Sequence, residues 1–429
     1  MTTALIFIIT LGVLIFVHEL GHFVMARRNG IRAEEFGFGF PPRIFGVQRY
    51  VGKKMEKVAE KEEIKTEIID IQNEDGTETV QEKITDKITE IDEITPVKRW
   101  RIIWGSRDGD SEEEANDRAE KKTNNYFAGT IYSLNWFPLG GFVRIKGENG
   151  DSADTDSFAS KGAWTRIKVL AAGVIMNFVL AWFLIAIVMM IGAPEEIASE
   201  KVMPNAKIQV AGVSVDSPAQ KMNLKIGDEI LLEQANFKVE NLEDIKSYIN
   251  NNKGKEITLR VKRGKEILEL KGTPRIDVAE NQGALGISYS QVIMKSYPIH
   301  EAIWNSFKVV INIIGTIFSV LYTILKDLFL GNKSAGMEVA GPVGIFKLTG
   351  QVSELGLVYV LQFIALLSIN LGIINAFPIP ALDGGRILFI LIEKIKGSPV
   401  NQKVEQAFHT VGFFLLIGLM VVITFSEIF

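Results

Sequence analysis

Two histidines four residues apart, with a glutamate beside the first, lie near the start of the chain in Val17-His18-Glu19-Leu20-Gly21-His22. On a helix, residues four apart share a face, so both imidazoles can hold one metal ion. Glu19 then stands where it can take a proton from a nucleophilic water. The chain has only two other histidines, His300 and His409, and no cysteine. A thiolate site is therefore excluded, and a third metal ligand has to be a carboxylate or one of those two imidazoles. Asp383 is the better choice, in Asn375-Ala-Phe-Pro-Ile-Pro-Ala-Leu-Asp383-Gly-Gly385 just after an apolar run. His409, early in the last apolar run, stays open on position alone. Pro378 and Pro380 each lack an N–H, and Gly384 and Gly385 permit tight turns, so a locally unwound span lining a wet cavity is expected there.

A lone His-Glu-x-x-His pattern recurs by chance. Here it interrupts the apolar run at residues 3–26, long enough to cross a hydrocarbon core of about 30 Å. An ionisable group in mid-bilayer costs from about 3 kcal/mol upward and rarely persists without a partner. Three of them in one run argue for a site rather than for packing alone.

The surrounding composition fits. Of 429 residues 47% are hydrophobic and 23% charged, yet the apolar ones are gathered into a few long runs, the pattern of membrane spans joined to water-exposed parts. A net charge of −4 offers no whole-chain argument for nucleic-acid binding, and no nucleic-acid partner is expected.

The positive-inside rule orders the elements. Residues 1–27 form a first transmembrane helix, and Arg27, Arg28 and Arg32 set its end in the cytoplasm. No basic segment precedes the run and no small-residue cleavage site follows it, which disfavours a signal peptide. Residues 28–51 and 124–150 read as a β-hairpin region at the cytoplasmic membrane face, with Pro138-Leu-Gly-Gly141 as a turn. Residues 52–123 are a charged cytoplasmic insertion. Within it, a hairpin around Asn73-Glu-Asp-Gly76 and a helix with Ile84, Ile88, Ile91 and Ile94 on one face remain alternatives.

A second span covers 164–193 and leads to a soluble PDZ-like α/β domain at 197–293 on the outer side. Residues 300–335 read as an amphipathic helix on the membrane surface. The span at 355–395 carries the Asn-Ala-Phe-Pro segment, and the last span covers 404–427. The expected fold is thus a polytopic α-helical membrane protein with four transmembrane helices, a membrane-associated β-hairpin region and one extracytoplasmic PDZ-like domain.

Taken together, His-Glu-Leu-Gly-His in the first span and Asn375-Ala-Phe-Pro-Ile-Pro-Ala-Leu-Asp-Gly-Gly385 in a later one resemble the site-2 protease family (peptidase family M50), in its bacterial RseP-type branch. The likeness extends to Glu35-Phe-Gly-Phe-Gly-Phe40, Phe137-Pro-Leu-Gly-Gly-Phe-Val143, Ala172-Gly-Val-Ile-Met-Asn177 and Gly341-Pro-Val-Gly-Ile345. It implies one zinc ion per chain on His18, His22 and Asp383, with Glu19 as general base. It implies substrate contacts from Asn370 and Asn375 and from the segment at Gly140 and Gly141. It also implies an intramembrane metalloprotease of the inner membrane, active toward the cytoplasmic side. The expected substrates are transmembrane segments of single-pass proteins, such as anti-sigma factors or remnant signal peptides, with peptide tails as partners of the PDZ-like domain. For Asn177 and Gly173, ordinary helix packing is the competing role. The insertion has no role in this resemblance. The reading from another class is a catalytically inactive, PDZ-bearing membrane scaffold.

Overall fold

A computed structural model describes residues 2–72, 78–105, 127–148, 154–197, 205–214, 216–233, 239–264, 266–277, 283–330, 341–398 and 400–428. The chain divides into two compact units, residues 33–137 and the remainder.

The larger unit starts with α1 (Thr2–Arg28), whose apolar length satisfies its backbone internally and which ends in the basic pair Arg27 and Arg28. The smaller unit follows with β1 (Ala33–Gln72) and β2 (Glu78–Trp104), antiparallel from Phe45 opposite Trp104 to Gln72 opposite Glu78. Of the two alternatives for the insertion, the structure has paired strands. The turn expected at Asn73-Glu-Asp-Gly76 lies outside the described residues. The first part of β3 (Phe127–Ile145) completes a sheet of order β2-β1-β3.

The sequence predicts a turn at Pro138-Leu-Gly-Gly141, and the structure has none. β3 continues through it without a break, with Gly140 at φ +110. That backbone conformation is one that glycine adopts without the Cβ clash that penalises other residues.

Beyond β3 the larger unit resumes with α2 (Ala163–Ile191) and a six-stranded sheet domain. Its elements are β4 (Ala193–Ile197), β5 (Lys207–Val213), α3 (Pro218–Lys221), β6 (Glu229–Ile230), α4 (Leu242–Asn251), β7 (Ile257–Arg263), β8 (Glu266–Gly272) and β9 (Ile287–Lys295), in sheet order β4-β9-β5-β6-β7-β8. Alternation along β7 buries Ile257, Leu259 and Val261 in one core with Ile208, Ile230, Ile245 and Leu285. Asp228, fully buried, accepts two hydrogen bonds from Arg263, each 2.7 Å, and one from the Lys225 amide, so the buried charge is paired.

A groove separates α4 from the segment 283–287, lined by Lys246, Ile249, Lys253, Leu285, Ile287 and Tyr289. β4 pairs with β9 only from Gln291 onward. Ile287 to Ser290 therefore have a strand partner on one side alone among the described residues. Burial, with Glu243 nearby, pushes the Tyr289 phenol up to about 12, so its hydroxyl stays a neutral donor to the Leu242 carbonyl at 3.0 Å.

The remaining helices are α5 (Ile299–Leu330), α6 (Pro342–Leu355), α7 (Leu357–Ala376), α8 (Asp383–Lys396) and α9 (Gln402–Ile428). Among the described residues five helices are long and apolar enough to cross a membrane: α1, α2, α5, α7 and α9. The protein is a polytopic membrane protein.

The amphipathic helix expected at 300–335 is present as α5 over its described part; 331–335 lie outside the described residues. Tyr297 donates its amide to Met189 near the end of α2. From there α5 runs along α2 and α7, with Val310 buried against Ala181, Leu184 and Ile369, and Phe318 reaching the Phe377 ring at 6.1 Å. Its apolar stripe, Val309, Ile313, Ile314 and Ile317, recurs at three- and four-residue spacing and packs, partly buried, against that core.

Candidate metal centre

Three helices build the site. His18 and His22 project from α1, Asp383 opens α8, and α2 closes the back. One ligand-type atom from each of His18, His22 and Asp383 lies within 4.8 Å of the others. His18 Nε2 is 3.0 Å and His22 Nε2 3.3 Å from Asp383 Oδ2, and the two Nε2 atoms are 3.1 Å apart. Both imidazoles are buried, and the Asp383 side chain is 18% exposed.

Backbone and small residues bring these groups together. Gly21 faces the Ala172 carbonyl so closely that a Cβ would overlap it, which lets α1 and α2 touch. A Cβ on Gly173 would strike the His22 Nε2 and the His18 ring, so this glycine leaves the space into which the imidazoles point. Below them, Ala26, Ile31, Ile145, Phe158, Val169, Leu170 and Ile390 form one core that ties α1, β3, α2 and α8 together.

At the other motif α7 stops at Ala376. Phe377 is extended at φ −67, ψ 145, the conformation a following proline favours. The chain then folds back on the start of α8. A Cβ on Gly384 would overlap the Ala376 and Phe377 carbonyls, and one on Gly385 the Ile379 carbonyl. Only glycines admit that approach. It places Asp383 in the first turn of α8, where the helix dipole favours a carboxylate.

Hydrogen bonds set the direction of the ring nitrogens. His22 Nδ1 lies 2.9 Å from the Val169 carbonyl, which can only accept. The proton is therefore on Nδ1, and Nε2 presents its lone pair to the site. His18 Nδ1 lies 3.1 Å from the side-chain amide of Asn177, a fully buried residue whose oxygen has, in its present orientation, no partner among the described residues. Turning the amide over would let that oxygen accept the Nδ1 proton and present the His18 Nε2 lone pair as well. Ser368 in turn donates to the Asn177 carbonyl at 2.7 Å. Asp383 Oδ2, also buried, has no aligned donor among the described residues despite its short distances to both rings. Three acceptor atoms facing one point repel each other without a cation. Two imidazole nitrogens and one carboxylate oxygen are the three-residue set that zinc takes in catalytic sites.

The other residues singled out from sequence are placed as follows. Glu19, half-buried, is near enough to His18, His22 and Asp383 for their charges to act on it. Gly140 is seated against Ile15, one turn before His18. Gly141 is buried beside it in β3. Asn370 and Asn375 are half-buried on α7, and among the described residues neither hydrogen-bonds to the three ligand-type side chains. His409 is not one of the converging group. Asn177 and Gly173, for which packing competed as a role, both touch the imidazoles. The Val169 carbonyl carries no sequence signal, since any residue supplies one.

Three ligand-type side chains that could hold a metal ion thus converge within a bundle of long apolar helices. The sequence profile of peptidase family M50 matches residues 6–54 and 122–419 and leaves out most of the charged insertion. This chain belongs to that family, the RseP-type site-2 proteases its motifs resemble, and is a membrane metalloendopeptidase. It is 32% identical to the regulator of sigma-W protease RasP of Bacillus subtilis, over 99% of this chain and 98% of that one. It is 30% identical to the zinc metalloprotease RasP of Bacillus licheniformis, over 100% and 99%. To the protein of the same name from Oceanobacillus iheyensis the identity is 29%, over 100% and 99%.

Proposed function

We propose that this protein cuts transmembrane segments of other membrane proteins at one zinc ion held by His18, His22 and Asp383. The observation that carries the reading is the convergence of those three side chains, drawn from opposite ends of the sequence, onto one buried point. When bound, zinc supplies a Lewis acid that polarises the scissile carbonyl and eases ionisation of water. Glu19 takes the proton from the attacking water and returns it to the leaving amine. Val169 and Asn177 hold the two imidazoles in their ligating tautomers. Asn370 and Asn375 offer amides to a substrate strand, and the backbone at Gly140 and Gly141 pairs with it once its helix has unwound.

The reading places four crossings in the inner membrane, with α1 and α7 running inward and the active site toward the cytoplasm. Arg27 and Arg28 at the end of α1, and Lys394 and Lys396 at the end of α8, support that orientation. Tyr297 sits by the outer end of α2, while Gly341 accepts cover from Glu427 at the outer end of α9, its amide donating to that carboxylate at 2.6 Å. Thr3, at the outer end of α1, packs on Gly350 of α6. Both flanks of α5 are then on one side.

The sheet domain reads as PDZ-like. Its groove offers a strand edge beside α4 that is unpaired among the described residues, to which an extended peptide tail can add, with Lys246 and Lys253 available to a carboxylate. The reading of an inactive scaffold loses ground because the full ligand set and Glu19 are all present.

The test is zinc per molecule in the purified parent, His18→Ala and Asp383→Ala. The expected result is about one zinc in the parent and near none in either variant, since a catalytic site has few protein ligands to spare. A well-folded parent that takes up no zinc on reloading would favour the scaffold.

A further inference from the structure

His409 belongs to neither the ligand set nor the apolar face of α9, yet it is built into the structure. Its Nδ1 accepts the amide of Ala381 at 2.9 Å. Its Nε2, which must then carry the proton, is buried with no partner among the described residues. A buried donor left unpaired costs about 1–3 kcal/mol. An apolar side chain would avoid that cost but could not hold Ala381.

Ala381 needs holding. It has φ +70, a left-handed conformation that costs a residue with a Cβ about 1–2 kcal/mol. It stands two residues before Asp383, in the segment between α7 and α8. One turn further along α9, Gly412 lies so close to Pro380 that a Cβ would overlap it. The His409 ring also borders Gly385 and stacks at a tilt on Phe389, 5.7 Å between centroids. α9 thus grips the Asp383-bearing segment at two points.

We infer that His409 is a positioning residue: by pinning the Ala381 amide it fixes how far Asp383 reaches toward His18 and His22. The inference rests on the proposal that these three hold zinc. Metal–ligand distances tolerate only about ±0.2 Å, so a small drift of the segment is felt at the metal.

The experiment uses the full-length protein with zinc itself as the probe, comparing the parent, His409→Leu, His409→Asn and Asp383→Ala. Zinc affinity is read by chelator competition, and amide exchange is read over 379–383 in the metal-free protein. His409→Leu is expected to bind zinc about 10–100-fold more weakly, the usual loss for a group behind a ligand, and to exchange faster at Ala381. His409→Asn keeps an acceptor near the Nδ1 position and is expected to restore both. Leucine and parent affinities within about twofold, while Asp383→Ala still abolishes binding, would overturn the inference and leave the metal site standing. So would an asparagine variant that melts like the parent but binds as poorly as the leucine one. If the parent itself takes up no zinc, the metal reading fails separately. Unchanged exchange at Ala381 in His409→Leu then overturns the pinning by itself.

Discussion

The metal centre and the groove of the sheet domain are built on opposite terms. In the centre nearly every group is tied to one task. Two rings are fixed by a carbonyl and an amide, four glycines admit close approach, and a broken helix delivers one carboxylate. In the groove the working surface is a backbone edge with two lysines beside it, and its neighbours are interchangeable apolar side chains. The first arrangement suits a point charge with narrow distance limits. The second suits an extended chain, where main-chain pairing supplies affinity and side chains only bias it. Single substitutions should therefore be severe in the centre and mild in the groove.

The largest effect is expected at Glu19. In Glu19→Gln, zinc content and thermal melting stay near the parent while cleavage of a membrane substrate falls about 10²–10⁴-fold, the range for loss of a general base. Cleavage at the parent rate would remove Glu19 from the chemistry. Next comes Gly173→Ala, which pushes a methyl group into both imidazoles. Overpacking of this kind costs about 1–3 kcal/mol, and here it should appear as weakened zinc affinity together with a lowered melting temperature. An alanine variant that binds zinc normally would mean that the rings have room the structure does not show.

Asn177→Ala sharpens the comparison further. It leaves the ligands untouched and removes only the amide behind His18, so zinc affinity should drop by about 10–100-fold with the fold retained. A parent-like affinity would return Asn177 to helix packing. The smallest effect belongs to the groove. Replacing Lys246 and Lys253 together by glutamate should weaken capture of a carboxylate-ended peptide several-fold, about 1 kcal/mol for exposed charges, and leave zinc affinity unchanged. If that double variant instead altered zinc binding, the two regions would be coupled, and the contrast drawn here would fail.

The sequence alone carried the membrane character, the two metal-type motifs and the pairing of His18 and His22 on one helix face. Each is a local property: hydropathy over some 20 residues, the 3.6-residue helical period, the backbone limits of proline and glycine. It did not carry the unbroken course of β3 through Gly140, because a proline followed two residues later by a glycine fits within a strand as readily as in a turn. Nor did it reveal that α5 runs down the flank of α2, since an amphipathic stripe fits a lipid surface and a neighbouring helix equally well. The roles of Val169, Asn177 and His409 were also hidden. Each acts across a separation of 28 residues or more, through a carbonyl, an amide and a ring nitrogen that many other positions could supply. Hydrogen bonds over such distances depend on which helices touch and at what depth, and only the packed bundle decides that.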